Sequence, residues 1–459
     1  MPIDVRTLVV FCGAVLSAAA VRAEDAPDVV LEAFIREALE HDPAIRAAAA
    51  EAEAARARPE QAAARPAPMV SVAYTNDGWS PSLGTQEMTT LAVMWTQALP
   101  GPGRRRLRGD VAGAEARSVE QRIERVRLST IGAVRRAYYG LLLARDLRAL
   151  LGEQEKLWRE VEESARSRYS VGLGTQYDVL RAQLEVTRLQ ESVLEQEADL
   201  VVRAAALNRL AGRPLDAPVV TEAALALRPL SLSFEELMAE GERISPELKA
   251  AAAGIEGAQA GIALAQKERR PEATLQAGYM NRGGLDPMWQ AGLAVSLPRA
   301  RKAASAVAEA SAGARAAAER RQAVVLDLRL RTHERLTRAQ AVEKIAELYT
   351  EGIVPQGRAA LESALASYPV GKLPFVTVIE ALTRVYSDRA AYLRHVAHHE
   401  SLRAAIDEWG LEATSDTDSA PMARPAGGAA MAASAGSAGE GGTAARSGGG
   451  GGAAMSMSR

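Results

Sequence analysis

With 459 residues and a formal net charge of −2, the chain has room for two or three ordinary domains but no basic field that would recruit nucleic acid. Aromatic residues are only 4% of it, with four Phe, which excludes large jigsaw cores. Ala, Leu, Arg and Glu dominate, as in long helices and coiled coils.

The first 23 residues read as a secretory signal peptide. An apolar run from Leu8 to Val21 precedes the small-residue pattern Val21-Arg22-Ala23. Arg6 is offset by Asp4 in the leading segment, and the alternative is an N-terminal membrane anchor, for which the run is short. Cys12 is the single cysteine. "VVFC" is a poor lipid-attachment site, so Cys12 is expected to leave with the signal. A mature chain without thiols has no disulfides and no cysteine metal site, as suits an exported protein. After Val21 no run of about 18 apolar residues remains to make a transmembrane helix.

The remainder is written twice. "HDPAIRAAAAEAEAARARPEQ" at His41 echoes "ISPELKAAAAGIEGAQAGIALAQ" at Ile244, an offset of 203. Pro100 of "QALPGPGRRR" echoes Pro298 of "VSLPRARKAA", offset 198, and Tyr169 of "YSVGLGTQYDVLRAQ" echoes Tyr368 of "YPVGKLPFVTVIEAL", offset 199. Near-constant offsets mark an internal duplication, with repeats over 28–213 and 232–410. Each repeat is predicted to run helix, two short strands, very long helix, glycine turn, long helix.

In the first repeat the hairpin is expected over about 68–98. Val70, Val72 and Tyr74 share one face of its first strand, and Leu91, Val93 and Trp95 one face of its second. No proline lies between Pro102 and Pro214, so a helix from about Arg104 to Tyr169 is predicted, roughly 100 Å long. Val119, Ile123 and Val126 fall on one of its faces. Gly172 and Gly174 supply the turn. In the helix that follows, Val179, Val186, Val193, Leu200 and Leu207 recur every seven residues as a coiled-coil seam.

In the second repeat the hairpin is expected over about 272–297. Ala273, Leu275, Ala277 and Tyr279 alternate with Thr274, Gln276 and Gly278, and Trp289, Ala291, Leu293, Val295 and Leu297 with Gln290, Gly292 and Ser296. These four runs have the length of transmembrane β-strands, apolar on one side and small or polar on the other. Two soluble hairpins capping a helical bundle would give the same alternation. If the strands do cross a membrane, four are too few to close a barrel, which takes about eight. An open edge is not tolerated in lipid, so several chains would have to share one barrel.

"HDPAIRAA", "SPELKAA", "WTQALPGPGRRR", "YSVGLGTQYDVLRAQ" and "GIVPQGRAALESALASYPVG" resemble the TolC-like outer-membrane efflux channels, over about residues 28 to 410. The resemblance implies a mainly α fold with a small β part. In it a homotrimer pools four strands per protomer into a 12-stranded β-barrel (three times four) in outer-membrane lipid, continued by an α-helical barrel across the periplasm. It implies the exit duct of a tripartite pump, docked on a periplasmic adaptor and an inner-membrane pump of the RND type. The stretch "QALPGPGRR" resembles members that serve metal- or cation-exporting pumps, whose version commonly ends in Gly-Lys-Arg. Drugs are the other cargo class. A periplasmic adaptor or a coiled-coil scaffold is the alternative reading, and the duplication and the four symmetric strand runs speak against both.

The two glycine turns would then be the periplasmic tips. Val171, Gly172, Leu173 and Gly174, with Val370, Gly371, Lys372 and Leu373, are the expected adaptor contacts: exposed aliphatics at a turn need a reason, and partner docking is one, with simple turn chemistry and local packing as the alternative. Asp178 and Glu380 are candidates for acidic rings at the aperture, or else solvated helix-start residues favoured by the dipole. Thr377 stands where family members often place another Asp. Lys372 and Leu373-Pro374 depart from a pattern in which an Arg often holds the tip shut. Arg104, Arg105, Arg106 and Arg108 open the long helix against its dipole and read as a solvated run, or else as contacts to lipid headgroups or as lumen polarity just below the barrel.

His395, His398 and His399 share a helical face, with Glu400 beside them. They are weak metal candidates, since a polar helix face has the same spacing. No phosphate loop, nucleophile elbow or hydrolase constellation is present, so neither an enzyme nor a cofactor is expected. From about Ser415 to Arg459 the chain is Gly/Ala/Ser-rich and reads as a disordered tether. Its Met422, Met431, Met455 and Met457 are possible soft-cation contacts.

Overall fold

The computed structural model describes residues 28–77, 79–83 and 87–411. The expected signal peptide with Cys12, and the tail with its methionines, lie outside these residues.

The element order repeats. The first half holds α1 (Val29–His41), α2 (Pro43–Ala63), β1 (Met69–Thr75), β2 (Thr90–Leu99), α3 (Arg104–Ser170) and α4 (Gln176–Ala211). The second holds α5 (Phe234–Ile244), α6 (Pro246–Lys267), β3 (Glu272–Arg282), β4 (Leu285–Ser296), α7 (Ala300–Leu348), a π turn (Tyr349–Ile353), α8 (Val354–Ser367) and α9 (Phe375–Asp407). The short helix pairs break for the same reason in both halves. Asp42 and Ser245 each close one helix and cap the next, and the following Pro occupies the first helical position, where no N–H is needed.

The four strands form one antiparallel sheet in the order β1-β2-β3-β4. Its register aligns the four apolar faces. Val72 pairs with Val93, Val93 with Tyr279, and Tyr279 with Trp289. The opposite face carries pairs such as Ser71 with Met94, Met94 with Gly278, and Gly278 with Gln290. Strand side chains alternate with period two, so one face is mainly apolar and the other mixes small and polar residues with Met69, Met94, Met280 and Met288. β1 and β4 are edges without a partner strand among the described residues.

α3 is an unbroken helix of 67 residues. Its counterpart is not. α7, the π turn and α8 run from Ala300 to Ser367, and the turn is held by the Val354 N–H bonding the carbonyl of Tyr349, five residues back. Two facts account for it. Pro355 has no N–H to give and crowds the carbonyl four residues earlier. The offset between the repeats also steps from 198 at Pro298 to 199 at Tyr368, so the second half holds one extra residue. A π turn absorbs one residue without rotating the rest of the helix out of register. A cavity of about 560 Å³ lies beside it, lined by Leu150, Val354, Pro355, Tyr392 and Leu393 among others.

Packing changes along the helices. Nearest the sheet it is made with small residues: α2 buries Ala48, Ala52 and Ala55, and α3 buries Ala114 and Ala116. A Cβ at Gly257 would come within 3.1 Å of that of Ala114, which shows how closely these backbones approach. A middle cluster holds Phe34, Tyr138, Leu142, Leu207 and Val396. Toward the turns a third contains Trp158, Val161, Leu189, Tyr368, Phe375, Val378 and Leu382. The heptad residues Val179 and Val186 flank this cluster, while Ala182 and Leu189, three residues after each, are buried in it. Seam and neighbouring row together make the contact.

Candidate functional site

Both glycine turns are Schellman motifs. In the first, Gly172 N–H bonds Tyr169 O at 3.0 Å and Leu173 N–H bonds Arg168 O at 2.8 Å. In the second, Gly371 N–H bonds Tyr368 O and Lys372 N–H bonds Ser367 O, both at 3.0 Å. Gly172 and Gly371 each have φ of 75°, the left-handed conformation that terminates a helix and that side chains resist.

The helices that leave the turns start differently. Thr175 and Asp178 form a capping box on α4: Thr175 Oγ1 accepts from Asp178 N at 3.2 Å and Asp178 Oδ2 accepts from Thr175 N at 3.4 Å. Pro374 precedes α9 and makes no side-chain cap. Asp178 is therefore a helix-start carboxylate fixed in place and partly accessible. Thr377 is half-buried, its N–H 3.2 Å from Pro374 O, and Glu380 is exposed. Val171, Leu173 and Val370 are exposed by about two thirds (66%, 68% and 67%), and Lys372 is exposed as well. Leu373, expected at the exposed tip, is half-buried against the core cluster beneath the turns. The equivalent of Leu373 is Gly174, where an added Cβ would meet Arg168 Cβ and Tyr169 N at 3.1 Å.

One residue at this end is not marked in the sequence. Arg168 lies in α3, one position before Tyr169, and reaches across to the other repeat. Its guanidinium donates to Tyr368 O at 2.6 Å, to Pro369 O at 2.9 Å and to Leu173 O at 2.9 Å. It also lies 4.8 Å from the centre of the Tyr368 ring. Arg168 thus ties the carbonyls of both turns to one cation. Tyr368 packs on Phe375, and its hydroxyl is buried without a hydrogen-bond partner among the described residues. Burial foremost, then the charge of Asp178, raises the Tyr368 phenol, and Arg168 opposes the shift. A sequence signal for Arg168 would have needed the fold, because two of its three acceptors lie 200 and 201 positions away.

The arginines that open α3 divide. Arg104 is buried; it donates to Lys267 O at 3.1 and 3.2 Å, and it also bonds Arg270 O and Glu272. Arg105 donates to Ala63 O at 2.8 Å. Lys267 and Ala63 are the last residues of α6 and α2, so these cations sit at the negative ends of neighbouring helix dipoles. For Arg104 this corrects the expectation of a solvated run, which Arg106 does meet.

The histidines face different partners. His399 is fully buried with Nε2 2.9 Å from Glu343, whose carboxylate also accepts Leu230 N–H at 2.8 Å. His395 packs at a tilt on Tyr349, ring centres 5.5 Å apart, and burial, then His398, lowers its pKa. Among the described residues no group of three or more His, Cys, Asp or Glu is placed to hold a metal.

The model of the outer membrane efflux protein family matches residues 34–213 and 242–399. The chain belongs to this family. Several solved channels share the fold. VceC from Vibrio cholerae has a TM-score of 0.67 at 20% identity, over 83% of this chain and 96% of that one. The Campylobacter jejuni CmeC channel has a TM-score of 0.65 at 16% identity, over 84% and 86%. The open state of the Neisseria gonorrhoeae MtrE channel has a TM-score of 0.64 at 18% identity, over 83% and 88%. No curated protein matches in sequence. The protein is an outer-membrane efflux channel with a long periplasmic helical extension, a duct rather than an enzyme.

Proposed function

We propose that three copies of this chain form the exit duct of a tripartite efflux pump, with the two Schellman turns of each protomer docked on a periplasmic adaptor. The observation that carries this is the single sheet with one apolar face and two unpaired edges. Neither edge is compatible with lipid until it pairs, and β1 of one protomer with β4 of the next closes the ring. The mixed face then lines water.

At the other end, Val171, Leu173 and Val370 are solvent-exposed aliphatics on rigid turns, an arrangement that suits a partner's helical hairpin. Gly172, Gly174, Gly371, Lys372 and Leu373 shape the same surface. Arg168 holds the two turns of one protomer together. Asp178, and Glu380 one turn deeper, supply carboxylates around the aperture, where they favour cations, and Thr377 leaves the second turn without the carboxylate of the first. Repeat bodies over 28–213 and 232–410 follow the duplicated element order. The pump at the far end is of the RND type and its cargo is metal cations or drugs, the metal reading resting on the likeness of "QALPGPGRR".

Reconstituted protein in planar bilayers tests the duct: a trimer with cation-selective conductance that falls in Asp178→Asn supports it. A protein that inserts without conducting, or conducts as a monomer, refutes it. Crosslinking at Val171→Cys to a co-expressed adaptor tests the docking arm, which fails if only free channel is recovered.

A further inference from the structure

The sheet has two ends, and they differ. At the loop end the apolar face carries aromatics: Tyr74, Tyr279 and Trp289 lie there, and Tyr279 pairs with Trp289. Rings at this depth are the usual interfacial anchors of a β-barrel. Trp95, opposite Val70 and Ala277, lies midway, and beyond it the helix-end rim of the same face is Leu99, Ala273, Val295 and Leu297, with no aromatic residue.

Cations stand there instead, outnumbering Glu268 and Glu272, the second of which bonds Arg104. Each of the four crossings between sheet and helix carries at least one exposed: Arg65 before β1, Arg106 after β2, and Arg269 with Arg270 before β3. Arg299, Arg301 and Lys302 follow β4. Among the described residues the side chains of Arg269, Arg270, Arg299, Arg301 and Lys302 make no ion pair or hydrogen bond. α3 and α7 both begin at this level without a side-chain cap and without an acidic residue in the first turn. The loop end has the opposite balance, with Asp77, Glu87 and Asp286 against Arg282.

We propose that this collar binds the anionic phospholipid headgroups of the leaflet facing the periplasm, and so fixes the depth of the barrel in the membrane. The chemistry is a row of guanidinium and ammonium groups on flexible stems, placed where an apolar lipid-facing surface ends. There they meet phosphate oxygens while their stems lie along the acyl boundary. The collar takes over the anchoring that aromatics supply at the loop end.

The proposal rests on the membrane placement of the sheet, and the test separates the two. The trimer is reconstituted in phosphatidylcholine vesicles, and its boundary lipid is read by electron spin resonance with spin-labelled phosphatidylglycerol and phosphatidylcholine. Wild type is expected to prefer phosphatidylglycerol by about fivefold or more, and the preference is expected to fall as salt is raised to molar levels. The combined variant R269Q/R270Q/R299Q/R301Q/K302Q, checked for trimer by native electrophoresis, is expected to lose the preference, while Arg282→Gln at the loop end keeps it. Reconstituted wild type with no preference, or with a salt-insensitive one, overturns the collar and leaves the membrane placement standing. Equal selectivity in the combined variant also overturns it. Failure of wild type to acquire any boundary lipid overturns both.

Discussion

The two glycine turns, at the ends of the helices away from the sheet, have one backbone and two sets of side chains. Each ends a long helix with a Schellman motif and a left-handed glycine. Around that shared frame the first turn has Gly174, Thr175 and Asp178 where the second has Leu373, Pro374 and Thr377. The first starts its next helix with a capping box and leaves its aliphatics in solvent. The second omits the cap and draws Leu373 and Phe375 into the core. Duplication supplies the geometry twice and leaves one aliphatic, Val171 or Val370, exposed in each copy, while divergence exposes a second aliphatic, Leu173, in the first and buries Phe375 as an anchor in the second. Arg168, found in the first copy and absent from the second, where Ser367 stands, spans the two.

The largest effect is expected from Trp158→Ala, which removes a buried ring from the core that both turns share. A loss of about 3–5 kcal/mol should appear in denaturant unfolding, with both hairpins losing protection together in hydrogen exchange. If only one loses protection, the two turns are not one packing unit.

Next comes Arg168→Ala, which leaves three carbonyls without their shared cation. A cost of roughly 2–3 kcal/mol and a higher single-channel conductance are expected. Arg168→Lys should recover only part, since an ammonium cannot span that fork of acceptors. Conductance unchanged in both variants would show that the turns hold position without the clamp.

A smaller effect separates the two helix starts. Thr175→Ala should cost about 1 kcal/mol through the lost cap, while Pro374→Ala, which has no cap to lose, should stay within about 0.5 kcal/mol. Equal costs would mean that the capping box is incidental.

The smallest effect is electrostatic and compares Glu37 with its counterpart Glu240, offset 203 like the first echo. Glu37 is held below its ordinary 4.5 by hydrogen bonds from Arg213 on the linker after α4. Glu240 is lowered by a hydrogen bond from Arg243 within its own helix and is half-exposed. A carboxyl with a lowered folded pKa gives stability that is present above about 4.5 and lost as pH falls through the folded value. Arg213→Gln should therefore flatten acid unfolding more than Arg243→Gln, because only the first pair joins separate elements. The reverse order would count against this.

What was legible in the sequence was whatever is local. Strand faces follow from alternation, so Val72, Val93, Tyr279 and Trp289 could be placed on one side before their pairing was known. The left-handed glycines and the proline-free reach of α3 are equally local. The step from offset 198 to 199 was also in plain view and marks the π turn, but a single extra residue has meaning only once a continuous helix must absorb it. Arg168 and Arg104 were not legible. Each bonds carbonyls of a distant segment, and in a chain with this many arginines nothing at the residue itself distinguishes a clamp from a solvated side chain. Leu373 differed from expectation for a related reason: glycine marks where the turn lies, while the packing beneath decides which aliphatic faces water.

The central claim is that no single chain closes the pore and that neighbouring protomers join through β1 and β4. Cysteine pairs across those edges, such as Val72→Cys with Leu293→Cys and its register neighbours, test it most directly in outer membranes under mild oxidation. The account expects at least one pair to give covalent dimers and trimers on denaturing gels. Monomers alone across the whole series, with the protein present in the membrane, would contradict it.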